Sequence, residues 1–529
     1  MTTGNIRFFA DAPSGTVPFE QAALHLHPSD DVAIAKTTLL AGTTLTRANG
    51  AAIKTTRLIP SGHKIALRAI AAGEPLRRYG QIIGFATQPI APGDQVHSHN
   101  LAIGDFARDY RFCSDVQPVE YVPEAERRTF MGYPRADGRV GTRNYIAVLS
   151  SVNCSAHTVR EIAHYFTPER LAAYPNVDGV IAIAHSSGCG IRMGGADYTI
   201  LQRTLAGMAR HPNVGGCLMV GLGCETNQVN ELVDNYHLRL QSPQQPPPSL
   251  TIQGEGGIRK TVQAGIAAVE RLLPMVNATA RRPQPVSELM LALQCGGSDG
   301  WSGVTANPVV GLVADEIVRQ GGAAVLAETP EIYGAEHLLT RRAISRDVGE
   351  KLVAKVRWWE GHTRRLNIEI DNNPSPGNKA GGLTTILEKS LGAVAKGGTT
   401  PLMGVFDYAE PVTVRGFSFV DTPGYDPVSV TGQVASGCNL VLFTTGRGSV
   451  FGFKPAPSIK ITSNTATYDR VIDDMDFNAG KVLDGADLTQ TANELLDLVI
   501  AVASGQPSKS EAQGVGEAEF NPWNLGGTL

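Results

Sequence analysis

QCGGSDGWSGVTANP, residues 294–308, follows the apolar run ELMLAL (288–293) and turns within a few residues from a buried strand to glycines, an acid, hydroxyls and an asparagine. A strand that leaves through a glycine-rich polar turn and enters a helix near Pro308 opens a βα unit, and the amides at such a helix start favour an anion. Asp299, Ser298, Ser302, Thr305 and Asn307 are the polar groups of this turn.

The same grammar extends both ways. NYIAVLSSV (144–152), GVIAIAH (179–185) and CLMVGL (217–222) lie upstream, AAVLAE (323–328), PLMGVF (401–406) and NLVLFTT (439–445) downstream, and helical patterns are interleaved with them. Strands alternating with helices predict α/β architecture, with mainly parallel, Rossmann-like sheets covered on both faces. Between Ala22 and Ala102 the text differs: short β-type runs such as VAIAKTTL, HKIALRAI and YGQIIGFATQPI are separated by Gly, Pro, Asp and Asn turns, which predicts a small compact β domain. The expected division is an arm (1–20), the β domain (21–105), a linker (106–130), an α/β middle domain (131–280) and, after the boundary RRPQPVS, a C-terminal α/β domain (287–529). No internal repeat of short period is read.

Composition narrows the function. The chain has 529 residues, too many for one ordinary core. With 46 basic and 50 acidic residues the net charge is -4, which gives no electrostatic reason for a nucleic-acid or membrane-surface partner. No apolar run approaches the length of a spanning helix, and the N-terminus lacks a basic flank before an apolar stretch, so a cytoplasmic chain is expected. The 58 glycines collect where strands end, as in loops built around ligands.

Seven cysteines are spread over more than half of the chain, which argues against a disulfide framework. Cys154, Cys189, Cys224 and Cys295 all follow predicted strands, at the edge where open parallel sheets bind ligands. One such cysteine is ordinarily a small buried hydrophobe, and Cys113, Cys217 and Cys438 are read that way; four at one kind of position point to a metal. No close CxxC pair is present, so a zinc ribbon is not expected. The expected site is assembled across strands: iron held by thiolates with imidazole or oxygen ligands, His185 joining the cysteines, or an Fe–S cluster.

NPSPGNKAGG (373–382) offers Asn378 and Lys379, and TTGRG (444–448) places Arg447 at another strand end. Arginine's planar fork suits a carboxylate, and Arg143 with Asn144 in GTRN is expected to act likewise. His27, His63, His97 and His99 crowd the small β domain beside Asp30, Asp31 and Lys64, which suggests acid/base or metal duties.

At this point HPSDDVAIA, IPSGHKIAL and VHSHN resemble the SAF-type β-clip domain of altronate dehydratases. MGYPRADGRVGTRN, HSSGCG, VGLGCETNQV, LQCGGSDGWSGVTANP, NPSPGNKAGG and TTGRG resemble the second and third domains shared by altronate and galactarate dehydratases. The resemblance spans residues 24 to 529 and leans to the altronate branch, with WSGV where that branch tends to have LSGI. It implies removal of water from a small sugar acid to give a 2-keto-3-deoxy acid, with Fe²⁺ (Mn²⁺ substituting), and a homodimer through the middle domain. On this reading His27, His63, Lys64 and Asp299 are the catalytic candidates, with the small domain acting as a lid. Arg143, Asn144, Ser298, Asn307, Asn378, Lys379 and Arg447 would bind substrate, and Cys154, His185, Cys189, Cys224 and Cys295 the metal. The competing readings are a lyase that expels sulfite from sulfolactate, a galactarate-type dehydratase, a sugar-acid sensor and a dinucleotide oxidoreductase. The last is disfavoured because no GxGxxG opens a helix after the first strand.

Overall fold

The structure is a computed structural model that describes residues 15–104, 106, 108–241 and 244–525. Most of the expected arm therefore lies outside the described residues. Its last part is not an arm: Thr16–Pro18 pairs in parallel with Thr44–Thr46, and Phe19 is buried, because its ring packs into the core of the β domain.

That domain is built from strands of two to six residues in three small sheets. Against expectation, it does contain a repeat. Leu39, Ile59, Ile70 and Ile90 each precede by three residues a glycine in the left-handed region, Gly42, Gly62, Gly73 and Gly93 (φ +86°, +82°, +80° and +88°). Three residues after each glycine comes a wholly buried aliphatic: Leu45, Ile65, Leu76 and Val96. Only glycine adopts that turn without strain, so each copy reverses the chain between two core anchors. The spacing between copies alternates between a long and a short interval, which hides the repeat from a search for one fixed period.

Two segments expected to be connectors form a sheet together. Thr129–Pro134, at the end of the linker, pairs antiparallel with Arg282–Pro285 from the predicted boundary, and with Val140–Gly141 on its other side. Upstream, Arg108 and the Tyr110 hydroxyl pin the linker to the buried Glu336.

The middle sheet runs in the order Gly179–Ile183, Tyr145–Ser150, Val214–Gly221, Ser249–Thr251, all parallel. The C-terminal sheet has seven parallel strands in the order Leu402–Phe406, Gly416–Val420, Ala323–Leu326, Met290–Cys295, Leu440–Thr445, Ser458–Thr462, Phe477–Asn478. The central strands are buried along almost their whole length, as sheets covered on both faces require. Helices Ala196–Ala209 and Asp426–Ala435 join the two α/β regions, and a Cβ on Gly207 would lie 2.2 Å from the Ala435 carbonyl oxygen. In each sheet the connections leave the first strand in one direction and later turn to the other. This creates a switch point at the C-terminal rim, where open sheets bind ligands.

Candidate functional site

The rim of the seven-stranded sheet begins at Cys295, the last residue of Met290–Cys295. Its thiol lies 3.6 Å from Glu328 and 3.4 Å from Glu331, which follow the neighbouring strand Ala323–Leu326. Glu328 has φ +67°, a conformation non-glycine residues rarely hold, and its amide donates to the Thr422 hydroxyl, far away in the chain. Lys396 Nζ donates to Glu328 at 3.0 Å, and Lys389 Nζ to Glu331 and to Asn373 at 2.6 and 2.8 Å. Gln294 bridges Glu328 and Asp426. Cys295, Glu328, Glu331, Gln294, Lys389 and Lys396 are buried, and Asp426 and Asn373 are partly exposed. Burial and then the charge of Glu331 push Glu328 up to about 7 and Asp426 to about 6, and burial raises the Cys295 thiol as well. Among the described residues, Cys295, Glu328 and Glu331 are the one set of three such side chains whose ligand atoms lie within 4.8 Å of one another, so they could hold a metal ion.

Four residues on from Cys295, Asp299 faces a cleft of about 590 Å³ between the β domain and the C-terminal domain. Its Oδ1 accepts from the Ser302 and Ser463 hydroxyls and from the amides of Trp301 and Ser302, while Oδ2 accepts from Asn464 at 3.0 Å. Burial raises its pKa against these donors. Arg447 and Arg470 line the cleft from the C-terminal domain and Lys36 from the β domain. The Arg447 guanidinium has no ion pair or hydrogen bond among the described residues, whereas Arg470 is anchored on the Arg447 carbonyl and Thr467.

The β domain docks through its second repeat. The Gly62 turn packs against Trp301, Gly300 and Gly382, where a Cβ on Gly382 would lie 2.4 Å from the Gly62 carbonyl oxygen. His63 accepts from Gln95 at Nδ1 and donates from Nε2 to the Ala380 carbonyl; burial lowers its pKa to about 4. His97, stacked on it at 5.0 Å, bonds the Lys379 carbonyl. All three protons of the buried Lys64 ammonium are spent, on the Gly382 carbonyl and both oxygens of Glu388, which Arg78 also holds. Burial opposes the Glu388 charge, but Lys64 and Arg78 pull it down to about 2. His63 and Lys64 therefore clamp the 379–382 loop. His27 is exposed, bonded to Ser29, and does not line the cleft.

The remaining polar candidates divide by position. Asn378 completes a capping box with Ser375 and bonds the Ser298 carbonyl, so both residues tie two loops of the rim together. Asn307 joins Gly392 to Thr444. Lys379 is half-buried, and its carbonyl is the acceptor for His97. Arg143 and Asn144 are not rim residues at all: they precede Tyr145–Ser150, at the opposite end of the strand from Cys154. Arg143 is spent on Glu511 and on three backbone carbonyls, Asn144 on Arg135 and two more carbonyls.

The five expected metal ligands also separate. Cys295 lies in the C-terminal sheet; Cys154, Cys189 and Cys224 are exposed at the rim of the middle sheet. The buried His185 has both nitrogens committed, one to the Ser150 carbonyl and one to the Ser187 amide. Sequence reasoning missed Glu328, Glu331, Lys389, Lys396, Asp426 and Arg470. Glu328 could have been found by the strand-end rule applied to the cysteines, since it closes AAVLAE; the lysines carry no local signal.

Three family descriptions match the chain in order: "Altronate/galactarate dehydratase SAF domain" over residues 21–104, "D-galactarate dehydratase/Altronate hydrolase, second domain" over 132–277 and "D-galactarate/Altronate dehydratase, C-terminal" over 286–528. The chain is 34% identical to the altronate dehydratase of Bacillus subtilis, covering 91% of this chain and 95% of that one. It is 35% identical to the galactarate dehydratase (L-threo-forming) of Escherichia coli over 88% of this chain and 90% of that one. The beta subunit of (2R)-sulfolactate sulfo-lyase of Chromohalobacter salexigens is 32% identical over 75% of this chain and 97% of its own length.

Proposed function

The chain belongs to the D-galactarate/altronate dehydratase family, and on that premise we propose that it is a hydro-lyase converting a sugar acid of the altronate type to a 2-keto-3-deoxy acid and water. The observation that carries this reading is the cleft lined by both the buried Asp299 and the unpaired Arg447. Dehydration of a 2,3-dihydroxy acid removes the proton beside the carboxylate, gathers negative charge on the resulting enediolate and expels the 3-hydroxyl with a proton. Arg447 binds the carboxylate, supported by Arg470 and Lys36. Asp299 moves a proton through Oδ2, whose one hydrogen-bond partner among the described residues is Asn464, while the four bonds on Oδ1 fix its orientation. His63, His97 and Lys64 act as positioning residues that hold the 379–382 wall in place.

The Cys295, Glu328 and Glu331 donors fit a divalent cation. With the thiol ionised, these three and Asp426 carry four negative charges against the two positive charges of Lys389 and Lys396, and one divalent cation closes the difference. A thiolate with two carboxylates suits Fe²⁺, with Mn²⁺ as a substitute, over magnesium or calcium. Such an ion, when bound, supplies Lewis-acid stabilisation of oxyanion charge. A homodimer through the middle domain and a cytoplasmic location belong to the same proposal. Exposed Met193 and Ile258 support the first, and free thiols at all seven cysteines the second. No helix among the described residues is long and apolar enough to cross a membrane.

The test is anaerobic turnover with Fe²⁺ of altronate, galactarate and sulfolactate, following keto acid and sulfite separately. Keto-acid formation from altronate that Arg447→Ala weakens through KM supports the proposal. Sulfite release without dehydration, or kinetics unchanged by Arg447→Ala, overturns it.

A further inference from the structure

Three thiols at the middle sheet take no part in that reaction. Cys154, Cys189 and Cys224 follow the ends of three neighbouring parallel strands, which stand about 4.8 Å apart. All three are free and exposed. Their loops form one hydrogen-bonded unit: the Asn153 amide donates to the Ser187 carbonyl, the Asn227 amide to Gly188 and the Asn227 side chain to Ser151, at 2.8, 3.1 and 2.9 Å. Gly188 has φ +99°, and a Cβ there would lie 2.5 Å from the Ser151 carbonyl oxygen, so only glycine lets the Cys189 loop press onto the Cys154 loop.

Two observations point to a ligand. The Gln253 amide donates to Cys224 Sγ at 3.2 Å, the kind of bond that tunes a metal-bound sulfur. Asn227 is wholly buried in the knot, and its Oδ1 has no partner among the described residues.

The spread of the sulfurs decides what kind of site this is. A tetrahedral ion bound through sulfur at ~2.3 Å draws its thiolates to roughly 3.8 Å from one another. These three do not all gather within 4.8 Å. A cluster places a different iron at each thiolate and accepts the wider spacing. We propose that Cys154, Cys189 and Cys224 bind an iron–sulfur cluster, separate from the Cys295 group, with one iron corner left to an oxygen ligand from solvent.

The full chain, reconstituted anaerobically with ferrous iron and inorganic sulfide and then desalted, tests this through iron and acid-labile sulfide per chain and the visible absorption of thiolate-bound clusters. About four irons with as many sulfides are expected. Cys154→Ala, Cys189→Ala and Cys224→Ala should each lower bound sulfide at least tenfold, with circular dichroism unchanged because the thiols are exposed. Cys295→Ala should keep the sulfide and the absorption. Protein that takes up iron without sulfide, a triple variant that keeps its sulfide, or a disulfide between two of these cysteines in anaerobically purified chain overturns the proposal. None of these readouts depends on turnover, so failure here leaves the dehydratase reading standing.

Discussion

The two parallel sheets end in rims built on the same plan, strand ends followed by glycine-rich turns at a switch point, yet one rim is covered and the other open. At the C-terminal sheet the β domain and helix Ile386–Val394 close over the strand ends, and the groups beneath are acids and lysines paired in the dark. At the middle sheet the thiols of Cys154, Cys189 and Cys224 are exposed, and the one acid at the knot, Glu225, is spent on the Ser151 hydroxyl and two loop amides. Coverage makes the difference: it raises Glu328 and Asp426 toward neutrality and fixes Asp299 against the cleft, whereas exposure leaves the thiols free to react or to bind metal.

The sharpest way to break this division is to ask which rim turns over substrate. Asp299→Asn should lower kcat about 10²- to 10⁴-fold in keto-acid assays, the range for loss of a general acid or base. Full activity in that variant would move the chemistry to the open rim. Next in size, Glu388→Ala strands Lys64 and Arg78 in the interface and should destabilise the chain by about 3–5 kcal/mol in urea unfolding. Cys154→Ala, its exposed counterpart, should stay within about 0.5 kcal/mol.

Acid should loosen the covered rim. His63 has a folded pKa of about 4, below its ordinary 6.5, so its contribution is complete above pH 6.5 and is lost as pH falls toward 4. The loss, at most about 1.4 kcal/mol per pH unit for one proton, should be absent in His63→Asn. His185 and His211, also held low by burial, add their own acid sensitivity in both proteins, so the comparison isolates the docking contact. At the surface of the cleft, Arg447→Ala should cost about 1.5–3 kcal/mol of substrate binding, read as a rise in KM with kcat nearly kept.

Much of this was legible in the sequence. Buried runs such as NYIAVLSSV and ELMLAL, and the turns after them, announce βα units because periodicity and turn chemistry are local. The same locality brings out Asp299 and Arg447, each a few residues beyond a strand. It fails for Arg143, whose GTRN setting resembles a rim turn but precedes its strand, and it gives no sign that His63 and Lys64 hold the 379–382 loop.

By itself the sequence determined the α/β alternation, the small β domain and the family, because each is carried by short-range patterns. Only the tertiary structure decided that Cys295 joins Glu328 and Glu331 and parts from the other three cysteines. Which strand ends become neighbours depends on strand order, and strand order is set by burial between residues far apart in the chain.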